Sequence, residues 1–299
     1  MTRARVAGVV LLALLAAAGA GYAFVLRDSE EPLPSVVAGE PVPPVRVAPL
    51  VRLAVAGDTG TGDADQAATV DEMLDQAERE PPYDGLVLLG DLVYDDGDAD
   101  EVDTAVIEPF APLTAQGTEL VPVLGNHDHM SGEQAEILAA LGRDRARYVE
   151  WVGPVRIVAL DSDHADDPEQ RSWLEQVLAE PQPPGTWTIV AMHHPAYSAG
   201  HHGSTPDVQE NWVPLFERYD VPLVLAGHDH DYQRSLPLDG VTYVVSGGGA
   251  KLRPTGREDF TAVSASVLHY LDLLVYPDRI AARAIDQSSE LVDRFVIRR

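Results

Sequence analysis

Five short segments of this sequence carry side chains able to hold metal ions, and each follows an apolar run of the kind that forms a buried strand. In chain order they are Gly57-Asp58-Thr59-Gly60, Gly90-Asp91-Leu92-Val93-Tyr94, Gly125-Asn126-His127-Asp128, Met192-His193-His194-Pro195 and Gly227-His228-Asp229-His230. Four of the five open with glycine, which lets the chain turn sharply after the strand. Any one of them alone is an ordinary turn. Packing gives no reason to set Asp, Asp, Asn, His and His at successive strand ends, so the set reads as one site. A carboxylate such as Asp91 can bridge two ions, and Tyr94, three residues on, can reach one of them. Cysteine is absent, which excludes disulfides and thiolate sites and leaves oxygen and imidazole donors.

The elements that must position these residues follow from periodicity. Strands read at 51–56, 86–89, 120–124, 155–160, 188–191 and 221–226, with helices near 63–78, 134–141, 171–179 and 212–219. In the first helix Ala67, Val70, Leu74 and Ala77 recur at helical spacing, and Pro81-Pro82 ends it. Residues 241–246, 268–276, 280–286 and 291–297 read as further strands, separated by turn signals such as Pro277-Asp278. The expected fold class is therefore α/β, with C-terminal β-hairpins that complete a second sheet. In open α/β sheets chemistry collects at the carboxyl ends of strands, where all five segments fall.

The N-terminus bears on location. Arg3 and Arg5 precede an uncharged run over 6–26 that Arg27 closes. A run of about 20 apolar residues is long enough to cross a bilayer, and its basic flank lies on the side that stays in the cytoplasm. Residues 1–27 are thus a signal peptide or an N-terminal transmembrane anchor. The anchor is favoured because the run continues past the small-residue cleavage pattern Ala18-Gly19-Ala20. Residues 28–44 form an acidic, proline-rich linker, and the body occupies 45–299. The expected location is extracytoplasmic, membrane-anchored or secreted. The net charge of −27, from 48 acidic and 21 basic residues, opposes nucleic acid and anionic membrane surfaces as partners. Membrane contact is expected only through the N-terminal segment, and oligomeric state is not encoded in any pattern found.

The ordered set of motifs resembles the calcineurin-like metallophosphoesterases over roughly residues 51–275. Many members of that superfamily carry Asp-x-His at the first motif, whereas Gly60 stands here and Tyr94 follows the second motif. Those paired features resemble the purple acid phosphatase branch. The resemblance implies a sandwich of two mixed β-sheets flanked by helices. It also implies a first metal held by Asp58, Asp91, Tyr94 and His230, and a second held by Asp91, Asn126, His193 and His228. A free tyrosine has a pKa of about 10 and binds as phenolate only to a strong Lewis acid, which favours Fe(III) at the Tyr94 site. The other donors suit a divalent Zn, Mn or Fe ion.

The implied activity is hydrolysis of a phosphate-ester substrate, here phosphomonoesters, by a metal-activated hydroxide. His127 is implied to contact phosphate or the leaving group, with Asp128 orienting it. In the 195–203 loop, His202 is favoured as the acid and His201 as a phosphate contact, and the order is open to reversal. A phosphodiesterase of the same superfamily is the alternative, and a non-catalytic metal-binding surface protein is a third reading. His194 is expected to point away from the ligands, as neighbours on a strand end do. Asp96, Asp98 and Asp100 have calcium-loop spacing, but Glu101 and Ile107 stand at its glycine and glutamate positions, so a solvated loop is expected. Residues 247–251 lack the Gly-Lys-Ser/Thr ending of a phosphate loop and read as a tight turn near the metals. His129, His164 and His269 fall in no motif and receive no role.

Overall fold

A computed structural model of the protein describes residues 48–299. The expected export segment, 1–27, and linker, 28–44, lie outside the described residues. Among those described, no helix is long and apolar enough to cross a membrane.

The chain runs β1 (Val51–Ala56), α1 (Ala64–Arg79), β2 (Gly85–Leu89), a π-turn (Asp103–Ile107) leading into α2 (Glu108–Thr114), β3 (Glu119–Val123) and α3 (Gln134–Ala140). Then come β4 (Tyr148–Val152), β5 (Val155–Ala159), α4 (Pro168–Ala179), β6 (Trp187–Ala191), α5 (Pro206–Asn211), α6 (Val213–Arg218) and β7 (Leu223–Ala226). Six strands finish the fold: β8 (Tyr232–Ser235), β9 (Thr242–Ser246), β10 (Thr261–Ala265), β11 (His269–Val275), β12 (Arg279–Asp286) and β13 (Leu291–Arg298). They form two mixed sheets, ordered β13-β12-β11-β1-β2-β3 and β10-β8-β9-β7-β6-β5-β4. The first sheet is parallel through β1, β2 and β3, and the second through β5, β6, β7 and β9.

Both faces of the central strands are covered. Val51, Leu53 and Val55 of β1 meet Ile157, Ile189 and Leu223 of the other sheet in the middle layer. Their neighbours Ala54 and Ala56, with Leu86 and Leu88, face outward onto Val70, Met73, Phe110 and Leu113 of α1 and α2. Val190, Met192 and Val224 do the same toward Leu174, Trp212 and Phe216. The result is a helix, sheet, sheet, helix sandwich. Double burial is why these strands read as unbroken apolar runs, with no alternation of polar and apolar residues.

Several elements depart from the expected set. β4, β8 and β10 are unpredicted strands; β8, Tyr-Gln-Arg-Ser, is polar because its side chains meet hydrogen-bonding partners, such as Asp293 for Tyr232 and Arg234. The turn and helix over 103–114 were hidden by Pro109 and Pro112; Pro109 sits in the first turn, where a missing N–H costs no helical bond. The expected helix over 212–219 is present as α6, and α5 before it is an additional helix. α4 begins three residues earlier than expected, because the Asp167 carboxylate accepts from the N–H groups of Glu169 and Gln170. Within the stretch expected to be a solvated loop, Asp98 caps a short turn over Ala99–Glu101.

One buried charge ties the first sheet to the end of α1. Arg52 donates to both oxygens of Asp272, at 3.0 and 3.2 Å, and to the carbonyl of Pro81 and the hydroxyl of Tyr83. Its guanidinium lies 4.1 Å from the Tyr83 ring centre. Arg52 and Asp272 are buried, and Asp272 also accepts from Arg283, so it is removal of Asp272 that leaves the Arg52 charge without a counterion. Asp272→Ala should lower stability by about 3–5 kcal/mol in urea unfolding, and pairing it with Arg52→Met should recover most of that loss.

Candidate metal centre

Five strand ends from the two sheets meet on one side of the sandwich. Asp58 follows β1, Asp91 follows β2, Asn126 follows β3, His193 follows β6, and His228 and His230 follow β7. The turns interlock through their backbones: Asp58 N donates to the Gly90 carbonyl at 3.0 Å, and Gly227 N to the His193 carbonyl at 3.0 Å. Contact this close leaves no room for a side chain at Gly125, where a Cβ would lie 2.3 Å from the Asp91 amide nitrogen. Three of the site residues hold left-handed backbone: Asp58 at φ 59°, Asp91 at φ 52° and His228 at φ 70°. That conformation is costly for a residue with a Cβ and is typical of functional sites.

The side chains fall into two clusters joined by one carboxylate. Tyr94 Oη lies 2.7 Å from Asp91 Oδ2, 3.2 Å from Asp58 Oδ1 and 3.3 Å from His230 Nε2. His230 Nε2 is in turn 3.3 Å from Asp58 Oδ1. On the other side, Asp91 Oδ1 lies 3.4 Å from His193 Nε2, which is 3.1 Å from Asn126 Oδ1 and 3.2 Å from His228 Nδ1. His193 Nδ1 donates to the Leu89 carbonyl at 2.8 Å, so its Nε2 turns a bare lone pair inward. The second cluster therefore gathers lone pairs with at most one proton, from His228 Nδ1, to share among them. Donor sets that converge on each other without protons fit cations, and Asp58, Asp91 and His193 alone already meet the spacing of a metal site.

The electrostatics agree. Burial, then the neighbouring Asp91, pushes the Asp58 carboxyl well above its usual range. Burial, then Asp58 and Asp91, likewise pushes the Tyr94 phenol up. His230 is lowered to about 3 by burial, then by Arg253, and His228 is lowered by burial and by His193 and His194. Neutral imidazole is the metal-binding form, whereas the buried acids wait for positive charge. A bound cation would reverse the penalty on Asp58 and on the phenolate.

Around these residues the structure both meets and corrects the sequence reading. His127 stands at the rim, with Nε2 3.9 Å from Asp91 Oδ2 and its ring 4.6 Å from that of Tyr94. Its Nδ1 donates to the Asp95 carbonyl, so orientation comes from the backbone and not from Asp128. Asp128 instead is buried and accepts from the N–H groups of Gly125, Leu92 and Val93, fastening the third motif to the second. Burial, then Asp91, raises its carboxyl to about 7, against those three donors. His202 lies with its ring 4.2 Å from that of His228, and the His201 ring lies 4.9 Å from that of His202. Asp229 holds their loop by accepting from His202 N at 2.7 Å and from the Ser198 hydroxyl.

His194 does not point away. Its ring packs 4.4 Å from that of His228, and its Nδ1 meets Ser162 Oγ at 2.9 Å. The chain bends to the following Pro195, so alternation of a regular strand no longer applies. Lys251 was also missed as a site residue: its Nζ lies 3.5 Å above the Tyr94 ring centre and 3.5 Å from Asp95. The only sequence signal was the glycine run before it, whose Gly249 N donates to the Gly57 carbonyl.

A two-sheet sandwich with paired donor clusters joined by one aspartate at its strand ends is the architecture of a metallophosphoesterase. The chain belongs to the calcineurin-like phosphoesterase family, whose model matches residues 51–232. Its relatives include purple acid phosphatase 17 of Arabidopsis thaliana, 26% identical over 232 residues that cover 67% of this chain and 69% of that protein. An uncharacterized protein of Mycobacterium tuberculosis is 34% identical over 110 residues, 31% of this chain, and the match spans only 21% of that protein's length. Among solved structures, a purple acid phosphatase from yellow lupin seeds superimposes with a TM-score of 0.66 at 20% identity, covering 85% of this chain and 54% of that one.

The absence of a histidine at position 60 has a steric cause. A Cβ on Gly60 would lie 2.0 Å from the Leu92 carbonyl oxygen, while Gly60 N donates to the Asp91 carbonyl and the Gly60 carbonyl accepts from Tyr94 N. Gly60→Ala should therefore displace the 91–94 loop, lowering stability by about 1–3 kcal/mol in urea unfolding and reducing the metal bound per chain. Unchanged unfolding and metal content would mean that the two loops are free to part.

Proposed function

We propose that this chain is an exported, binuclear metal-dependent phosphatase that hydrolyses phosphomonoesters, of the purple acid phosphatase type. The observation that carries this reading is Asp91, whose Oδ2 meets Tyr94, itself beside Asp58 and His230, while its Oδ1 meets His193, itself beside Asn126 and His228. One carboxylate shared by two otherwise separate donor sets is how a protein holds two ions a few ångströms apart. Bound there, the ions would neutralise phosphate charge and lower the pKa of a coordinated water toward about 7. Export is supported by the sequence of residues 1–27 alone.

The remaining steps belong to the chain. Nδ1 of His127 is committed to the Asp95 carbonyl, so its Nε2 faces the centre and, when the ring is doubly protonated, can donate to a phosphate oxygen. His202, stacked near His228 and only partly covered, is placed to protonate the departing alkoxide, with His201 beside it as a phosphate contact. Asp229 contributes by fixing the loop that carries both. Asp58, Asp91 and Tyr94 would offer anionic oxygens to a first ion, which supports Fe(III) there and a divalent Zn, Mn or Fe ion at the imidazole-rich site.

Two measurements test this. Phenolate bound to Fe(III) absorbs visible light, so the metal-replete protein should be pink to purple and Tyr94→Phe should bleach it; a colourless, iron-replete wild type would remove Tyr94 from the ligand set. Asp91→Asn, folded by circular dichroism, should lose about two orders of magnitude or more in turnover of p-nitrophenyl phosphate. Full activity in that variant would move the chemistry elsewhere, and faster turnover of the bis ester than of the monoester would favour the phosphodiesterase alternative.

A further inference from the structure

Beyond the paired clusters, a second group of metal-competent side chains lies at the edge of the sandwich, built from residues that no motif claimed. His129 ends the short turn His127–His129 that follows Asn126, and Asp161, Asp163 and His164 come from the turn after β5. His129 Nε2 lies 3.4 Å from Asp161 Oδ1 and 3.9 Å from Asp163 Oδ2, and His164 Nδ1 lies 3.0 Å from Asp161 Oδ2. One ligand atom from each of His129, Asp161 and His164 can be chosen so that all three lie within 4.8 Å of one another.

We propose that His129, Asp161 and His164, with Asp163 at their edge, form a separate mononuclear site for a divalent transition ion of the zinc class. Ligands about 2.0–2.1 Å from a tetrahedral zinc stand roughly 3.3 Å from one another, close to the spacings found here. Two imidazoles with one or two carboxylates are a donor set that zinc accepts. His129 Nε2 and Asp161 Oδ1 are both shielded from solvent, and neither makes a well-formed hydrogen bond, though they face each other. Without an ion the two can meet only as the ion pair at 3.4 Å, whereas a divalent ion between a neutral His129 and Asp161 would satisfy both atoms at once.

The turn is held in shape before any ion arrives. Buried Gln170 accepts from Asp161 N at 2.9 Å and donates to the carbonyls of Asp161 and His164 at 2.8 and 3.0 Å. A cleft of about 380 Å³ opens beside Asp161 and His164, which gives an ion a route in and a place for water as a further ligand. Arg147 also borders that cleft, and its charge is met by Asp167 at 3.2 Å.

An ion here would join the loop carrying Asn126 and His127 to the turn whose Ser162 and Asp163 contact His194, the neighbour of His228. It would thereby brace two of the five strand ends from outside. The site does not depend on the phosphatase reading, and its test can be separated from it. The full chain, stripped with chelator, would be titrated with zinc chloride and its metal content counted after gel filtration. His164 is 59% exposed, so His164→Gln should fold normally while losing a ligand. The expected result is about one zinc fewer per chain in His164→Gln than in wild type. The same decrement should appear between Asp91→Asn and the Asp91→Asn, His164→Gln double variant, even if Asp91→Asn has emptied the other centre. Zinc should also raise the melting temperature of Asp91→Asn more than that of the double variant. Equal zinc content and equal thermal shifts with and without His164 would overturn the proposal.

Discussion

Two carboxylates and a phenol are packed together at the strand ends with too few protons among them, and most of the local structure exists to keep them so. Asp58 is fully buried beside Asp91, and Tyr94 touches both. In water such a group would fly apart or take up protons; here the backbone prevents the first and burial already drives the second. Positive charge is what the arrangement lacks, and a cation resolves the conflict without moving an atom of the main chain.

Rigidity is supplied one layer out, by a second set of buried aspartates that never face the centre. Asp128 gathers amides from the second and third motifs, and Asp229 gathers an amide and a hydroxyl from the loop of His201 and His202. Each sits one residue from a proposed ligand or its neighbour, so the chain uses adjacent positions for opposite tasks: one side chain reaches for metal, the next clamps a neighbouring loop. The strained backbone at Asp58, Asp91 and His228 is tolerable because these clamps leave the turns no relaxed alternative.

What could be read in the sequence follows from the same physics. Strands covered on both faces leave long apolar runs, and a glycine followed by a polar residue marks their ends sharply, so the five turns that meet at the site and the α/β class were legible. Short polar strands such as β8 were not, because their stability comes from partners far along the chain, as Arg234 and Tyr232 show with Asp293. Neither was the helix over 108–114, where two prolines masked the signal. Residue roles set by long-range contact were equally hidden: nothing adjacent in sequence tells that Lys251 covers Tyr94, that Asp128 serves loop backbones in preference to His127, or that His129 meets Asp161.

The pairing of Gly60 with Tyr94 shows how far a local constraint reaches. Tyr94 N donates to the Gly60 carbonyl and Gly60 N to the Asp91 carbonyl, so the first and second turns form a two-stranded clasp. Within it no Cβ fits at position 60, because the Leu92 carbonyl occupies that space. A histidine there would need the clasp opened, and opening it would carry Tyr94 away from Asp58 and His230. The two features are therefore one decision made twice in the sequence: closing the turns forbids an imidazole from the first and delivers a phenol from the second. On the proposed reading, a donor set that ended in phenolate in place of imidazole would gain negative charge, and with it a preference for a harder, more highly charged ion.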